Sequence, residues 1–347
     1  WPDEGVAAHY GDPMREQRTL TGRVGLVDRS NRGVLRVPGA DRHSWLHSLA
    51  TQHLTALAAG EGTELLLLSP QGHLEHHARV AEFDDAVWLD TEPGDAAPML
   101  DFLTRMRFML RVEPEDVTET HAVVSLVGPD VATALDALGA EVPAPATVAA
   151  TPESKFAAGA VPARPTSSYP VVPLPGGGFA RRQAPFGEAP VVDLVVPRER
   201  LGDLAERLRA AGVPAAGSWA YDAVRVAARA PRFGLDTDHR TIPAEVGFLA
   251  PAVHLDKGCY RGQETVARVH NLGRPPRRPV LLHLDGADEE LPPAGTPVLR
   301  DDRQVGFVGT AVRHFELGII ALAVVKRAVP DDEVLRVGDA NAAIDPD

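Results

Sequence analysis

The residues best suited to chemistry lie together at Lys257 to Glu264, Lys-Gly-Cys-Tyr-Arg-Gly-Gln-Glu, around Cys259, the single cysteine of the chain. Lys257 and Arg261 flank the thiol, and nearby positive charge favours the thiolate that attacks electrophiles, oxidises or binds soft metals. Gly258 and Gly262 free the backbone for a tight turn or a close approach. The competing reading is a small buried hydrophobe, the common fate of a lone cysteine. His254 and His270 flank this segment as candidate partners. A second group, His73, Glu75 and His77, alternates along an expected strand with His76 opposite, and would share one face able to take zinc or iron. Arg225 and Asp193 are charges inside apolar runs, Ala223–Ala228 and Val191–Val196, both taken as strands; each is either solvent-facing or part of a polar pocket. Gly176-Gly177-Gly178 lacks the Lys-Ser/Thr of a phosphate loop, and the common hydrolase signatures are absent.

The elements that must position these residues follow from pattern and punctuation. Paired strands are expected over Leu20–Val37, then a helix capped by Asp41 with Trp45, Leu46 and Leu49 on one face. Two strands, Leu65–Leu68 and Leu74–Phe83, flank the turn Ser69-Pro70-Gln71-Gly72. Pro98–Leu110 has helical spacing, His121–Val127 strand character, and Val131–Leu138 and Arg198–Ala211 helical character. Residues 143–178, rich in Ala, Pro, Gly and Ser, form a linker or surface excursion. After Pro279, short strands separated by turns predict a small all-β module.

At 347 residues the chain suggests two or three domains. A net charge of −13 argues against a general nucleic-acid binder. No run reaches the ~18 apolar residues of a membrane helix. One cysteine allows no internal disulfide and cannot supply the four thiolates of an iron–sulfur cluster. The first residues, Trp1-Pro2-Asp3-Glu4, lack signal-peptide character, so a cytoplasmic location is expected.

Residues Trp219 to Leu284 resemble the YgfZ family, folate-binding relatives of the glycine-cleavage aminomethyltransferase GcvT. Lys257-Gly258-Cys259-Tyr260-Arg261-Gly262-Gln263-Glu264 carries that family's hallmark without a mismatch. Arg225-Val226 with Pro231 to Asp236 is similar to its arginine segment, and weaker similarity covers most of the chain. The resemblance implies an α+β, three-domain GcvT-like architecture around a central folate site. Its parts would be a discontinuous folate-binding domain (1–50 and 121–279), an inserted ferredoxin-like α+β domain (51–120) and a C-terminal β-barrel (280–347).

It further implies tetrahydrofolate as cofactor and Cys259 as the functional thiol. Asp193, Arg225, Lys257, Tyr260, Arg261 and Gln263 would be cofactor-binding, with no resident metal. The implied partners are iron–sulfur client enzymes or assembly proteins, with neither nucleic acid nor membrane. Where the aminomethyltransferase has an acid pair, this chain has His76 and His77, which argues against classical aminomethyl transfer. The alternative is a folate-dependent one-carbon transferase or demethylase acting on a small amine.

Overall fold

A computed structural model describes residues 3–149, 164–285 and 290–346. Part of the Pro-rich stretch, 150–163, lies outside the described residues.

Two sheets and a barrel carry the molecule. The first sheet has the order β10 (Val171–Pro173), β11 (Phe179–Phe186), β12 (Ala189–Pro197), β7 (His121–Val127), β1 (Gly25–Asp28), β13 (Ala215–Ala216). Its outer face buries Leu126, Val192 and Leu194 against α4 (Val131–Ala137) and α5 (Leu201–Ala210) through Ala134, Leu135, Leu204 and Leu208. The second sheet has the order β3 (Gly62–Leu68), β4 (Leu74–Phe83), β5 (Ala86–Thr91), β2 (Gly33–Pro38), β6 (Glu115–Asp116). Leu35, Leu65, Leu67, Ala78 and Leu89 alternate onto its outer face, under α2 (Arg42–Leu49) and α3 (Ala96–Arg105). The inner faces of the two sheets meet through Val34, Ala81, Trp88, Val123, Phe179 and Val195.

The expected α+β architecture with a C-terminal barrel is present. The closed barrel runs β14 (Arg277–Leu284), β17 (Gly318–Lys326), β16 (Arg303–His314), β15 (Pro297–Arg300), β18 (Val334–Val337), β19 (Ala340–Ile344). Antiparallel β14–β19 pairing closes it, which leaves the barrel no free edge strand. Two-residue strands β8 (Thr147–Val148) and β9 (Ser167–Ser168) pair separately.

Several features depart from the sequence reading. The run holding Arg225 is not a strand but helix α6 (Ser218–Ala227). It lies between the first sheet, through Ala220, Tyr221 and Val224, and the barrel, through Ala223 and Val226. Both sides are apolar, so the helical period is masked and a buried helix mimics a buried strand. Leu20 belongs to helix α1 (Pro13–Gly22), and β1 and β2 do not pair, because the turn Arg29–Arg32 carries the chain from one sheet to the other. Finally, α3 stops at Arg105, with Phe108 in the left-handed region at φ 48° and the Met106 carbonyl accepting from Trp45 Nε1. Asp41 stands at the start of α2 but gives its carboxylate to Arg111 instead of the helix. The second sheet also takes in β2, ahead of the breakpoint at residue 51.

Candidate functional site

Strand register explains how buried charge comes to lie between the sheets. In the first sheet Arg181, Asp193 and Ser125 are direct cross-strand neighbours on one face. In the second, Glu64, Arg79 and Asp90 form the corresponding row. The rows join across the gap: Arg181 Nη2 pairs with Asp90 Oδ1, and Arg79 Nη1 lies 3.3 Å from Asp193 Oδ2. Ser125 Oγ donates to Asp193 Oδ1 at 2.6 Å, while Arg181 lies 3.4 Å from the other oxygen.

From Asp90 the alternation of charge continues. Arg32 reaches Asp90 at 2.9 Å and Glu92 at 2.6 Å; Arg232 reaches Glu92 at 2.7 Å and Asp222 at 3.2 Å; Arg225 reaches Asp222 at 2.5 Å and Asp236 at 2.8 Å. Asp3 and Arg29 complete the network, on Arg232 and Glu92 respectively. Isolated charges could not be buried this way, but each here faces an opposite charge. Burial alone would raise Asp90 and Glu92, yet the surrounding arginines hold both well below the ordinary carboxylate range. Asp193 and Arg225, singled out from sequence, thus belong to one chain of ion pairs. Arg225 Nη2 also donates to Thr310 Oγ1 at 2.5 Å, which ties α6 to the barrel.

Next to this network sits a pair that sequence reading missed. His77 shares a face of β4 with Arg79, and its Nε2 lies 2.8 Å from Glu64 Oε2 on the adjacent strand. The Tyr169 hydroxyl donates to Glu64 Oε1, and Phe248 stacks on the imidazole at 4.7 Å. Burial opposes the Glu64 charge, but His77, Arg79 and Tyr169 outweigh it and bring the carboxyl down to about 2. The only signal in the sequence was Glu64 standing just ahead of an apolar strand. His76 points to the other face, onto Asp95 at 2.7 Å. The shared face expected for His73, Glu75 and His77 fails, because the register shifts at Leu67/Leu68, opposite Leu74–His76. Among the described residues no cluster of three His, Cys, Asp or Glu side chains could hold a metal.

Five residues of the cysteine segment, Lys257, Tyr260, Arg261, Gly262 and Gln263, are anchored. Lys257 Nζ donates to the carbonyls of His47, Ala50 and Gln52 at and beyond the C-terminal end of α2, where unpaired carbonyls favour a cation. Burial pulls this amine down to about 7. Tyr260 packs with Leu66, Leu68, Val253 and Val266. Arg261 pairs with Glu75 at 2.8 Å, and Gln263 Nε2 donates to the Lys257 carbonyl at 3.3 Å. Gly262, at φ 81°, opens α8 (Gln263–Leu272); a Cβ there would lie 2.6 Å from the Ser69 oxygen. Cys259 is exposed, so the buried-hydrophobe reading is excluded.

The two flanking cations are directed at α2 and Glu75. His254, expected as a partner for the thiol, is buried with its ring 5.2 Å from that of His53, which in turn meets His47 at 4.5 Å. Burial, then Lys257, brings His47 down to about 4. Strand β4 connects the thiol segment to the network: Glu75 holds Arg261, and Arg79, four residues on and about 13 Å along, reaches Asp193.

A reduced folate needs donors for its ring oxygen and nitrogens and an acceptor for its ring N–H groups. Around Asp193, the buried atoms Arg181 Nε and Nη1, Arg79 Nε and Gln183 Nε2 have no hydrogen-bond partner among the described residues. With the loosely paired Asp193 carboxylate, these orphaned donors fit such a ring. Arg225 fits less well, since its guanidinium is directed at Asp222, Asp236, Thr310 and the Ala230 carbonyl. Three cavities, of about 390, 370 and 610 Å³, lie at the barrel and beside α5 and α1, and neither Asp193 nor Cys259 lines them.

Several known proteins share parts of this sequence or its fold. Residues 9–154 match the GCVT N-terminal domain. A putative chloroplastic transferase of Arabidopsis thaliana is 24% identical over 97% of this chain and 73% of its own length. An aminomethyltransferase of Synechococcus sp. (strain WH7803) is 25% identical over 87% of this chain and 79% of its own. The tRNA-modifying protein YgfZ of Edwardsiella ictaluri is 39% identical over a shorter stretch, 26% of this chain and 31% of its own. The crystal structure of glycine cleavage system aminomethyltransferase T from Bartonella henselae superposes with a TM-score of 0.78, covering 97% of this chain and 89% of that one at 17% identity. The chain is thus similar to the GCVT N-terminal domain over residues 9–154, to aminomethyltransferases along most of its length, and in fold to the aminomethyltransferase T structure.

Proposed function

We propose that this chain is a tetrahydrofolate-binding protein of the YgfZ type whose Cys259 supports assembly or repair of iron–sulfur clusters in client enzymes. The observation that carries the reading is an exposed thiol on a segment whose neighbours Lys257, Tyr260, Arg261 and Gln263 are all anchored. Such a thiol is presented outward to a partner with little loss of conformational entropy on contact. Folate, when bound, supplies a reduced pterin able to carry one-carbon units. The chain would hold it by Asp193 with the free N–H groups of Arg79, Arg181 and Gln183, while Arg225 positions α6 against the barrel. Replacing Cys259 by Ala should leave the fold and tetrahydrofolate affinity unchanged by calorimetry, yet abolish support of client iron–sulfur enzymes. Unchanged client activity would remove the thiol from the function.

The second reading is a folate-dependent one-carbon transferase acting on a small amine. It is favoured by the Glu64–His77 pair, which restores a buried carboxylate and base beside the network, and by the near full-length aminomethyltransferase relatives. Proton transfer in such a reaction needs a group of this kind within reach of the substrate. This reading predicts turnover of methylene-tetrahydrofolate by the isolated protein, lost in Glu64→Gln. Absence of turnover with a panel of small amines counts against it.

A further inference from the structure

One carboxylate of the buried network stands apart from the rest in how the chain delivers it. Asp90, Asp193 and Asp222 sit on strands or a helix, Glu92 directly follows β5, and Asp236 lies in the loop after α6, where its carboxylate accepts from the Arg232 N–H and pairs with Arg225. Asp3 comes from the N-terminal segment, which lies along the start of α6. There the Ala7 and Ala8 carbonyls accept from Ser218 and Trp219, two of the N–H groups a helix start leaves unpaired. Gly217 permits that approach, since a Cβ would lie 2.2 Å from the Ala8 oxygen. Between this anchored stretch and Asp3 come the exposed Glu4 and Gly5 and the half-buried Val6, a turn closed by the Val6 N–H donating to the Asp3 carbonyl at 3.4 Å, with Gly5 at φ 93°. Asp3 is therefore a buried carboxylate carried on a short, single-bonded turn.

The site it fills is built for a carboxylate. Arg232 grips Asp3 through two parallel bonds, Nη1 to Oδ2 and Nη2 to Oδ1, both 2.8 Å, the fork-to-fork geometry preferred between guanidinium and carboxylate. Asn31 Nδ2 adds a third contact at 3.2 Å. Burial alone would raise Asp3, but these bonds and the Arg232 charge keep it below its ordinary value. Behind it lies Arg29, a second and independent pointer to an anion. It is buried, and the one carboxylate recorded within 4 Å of it is Glu92, at a long 3.8 Å. Its remaining recorded contacts are the Tyr221 hydroxyl at 2.6 Å and the Tyr221 ring at 4.4 Å. Withdrawing Asp3 takes from Arg232 its two-bond carboxylate partner and leaves it Glu92 and Asp222, so a buried guanidinium loses hydrogen bonds that another carboxylate could restore.

We propose that Arg232, Asn31 and Arg29 form a carboxylate-binding site, that Asp3 occupies it as an internal pseudo-ligand, and that the carboxylate end of a small molecule takes its place when the N-terminal segment swings out. The site lies away from the thiol segment and is linked to the Asp193 row through Arg32, Asp90 and Glu92, but carboxylate binding by Arg232 does not depend on the folate reading. The test uses the full chain with Asp3→Ala, Asp3→Asn and the double variant Asp3→Ala/Arg232→Gln. Thermal unfolding is compared in sodium acetate and sodium chloride at matched ionic strength.

For a millimolar acetate site, 100 mM acetate should raise the apparent folding constant of Asp3→Ala about 100-fold over chloride. Asp3→Asn should respond less, because its amide still fills the fork. The wild type and the double variant should respond alike to both salts. An equal response of Asp3→Ala to acetate and chloride overturns the proposal. So does an acetate effect retained in the double variant, which would place the site elsewhere. Asp3→Ala that folds only in acetate supports it; Asp3→Ala that folds in neither salt counts against it, since the added carboxylate is expected to restore the pair.

Discussion

Replacing Asp193 by Asn tests whether the ion pairs between the sheets hold the centre of the molecule together. Asparagine keeps the Ser125 hydrogen bond but removes the charge and turns an amide donor toward Arg79 and Arg181. At the observed 3.3 and 3.4 Å, each pair has a gross Coulomb attraction of about 5 kcal/mol at an effective dielectric of 20. Much of that offsets the cost of burying the charges. Arg181 would retain Asp90, and Arg79 would retain the fields of Asp90 and Glu64. The expected loss is therefore at the low end for a broken buried pair, about 3 kcal/mol. Urea unfolding followed by tryptophan fluorescence is the assay, since Trp88 lies in the apolar cluster joining the sheets. The double variant Arg79→Met/Asp193→Leu should recover part of the loss, because neither partner is then left as a lone charge. A loss below about 1 kcal/mol for Asp193→Asn would refute the reasoning and reduce the pairs to bystanders.

Three further outcomes are expected. Glu64 sits near 2 instead of 4.5, so it contributes stability above pH 4.5 that is lost as pH falls toward 2, about 3 kcal/mol in all. Glu64→Gln should flatten that acid limb, and an unchanged slope from pH 4.5 to 2 would show that Glu64 does not govern it. Lys257→Met should cost about 2–4 kcal/mol, as three carbonyls at the end of α2 lose a charged donor, and should speed amide exchange across 257–264. An exchange pattern identical to wild type would detach Lys257 from the loop. Gly262→Ala meets both a left-handed φ and the Ser69 oxygen, so a lower melting temperature and altered Cys259 alkylation kinetics are expected; wild-type values for both would contradict the close packing.

Local signals were legible wherever local physics decides the outcome. The strands 65–68 and 74–83 around a glycine turn, the helices near 131 and 201, and four of the six barrel strands followed from alternation, spacing and turn residues. The eight residues around Cys259 marked a candidate functional segment and carried the family resemblance. Other properties required the folded molecule. Arg225 was taken for a strand residue because a helix buried on both sides has no polar face to reveal its period. Glu64 gave no sign of pairing with His77, since cross-strand neighbours are set by register and not by distance along the chain.

Sequence by itself determined most element types and the residues of the thiol segment, because these depend on patterns a few residues long, and the family resemblance implied the α+β class. Only the tertiary structure decided which charges meet. Asp3 and Arg232 lie 229 positions apart, and only the folded chain brings them within hydrogen-bond distance. Local sequence can supply charges, but their neutralisation inside the protein depends on how sheets, helix and N-terminal segment are placed in space.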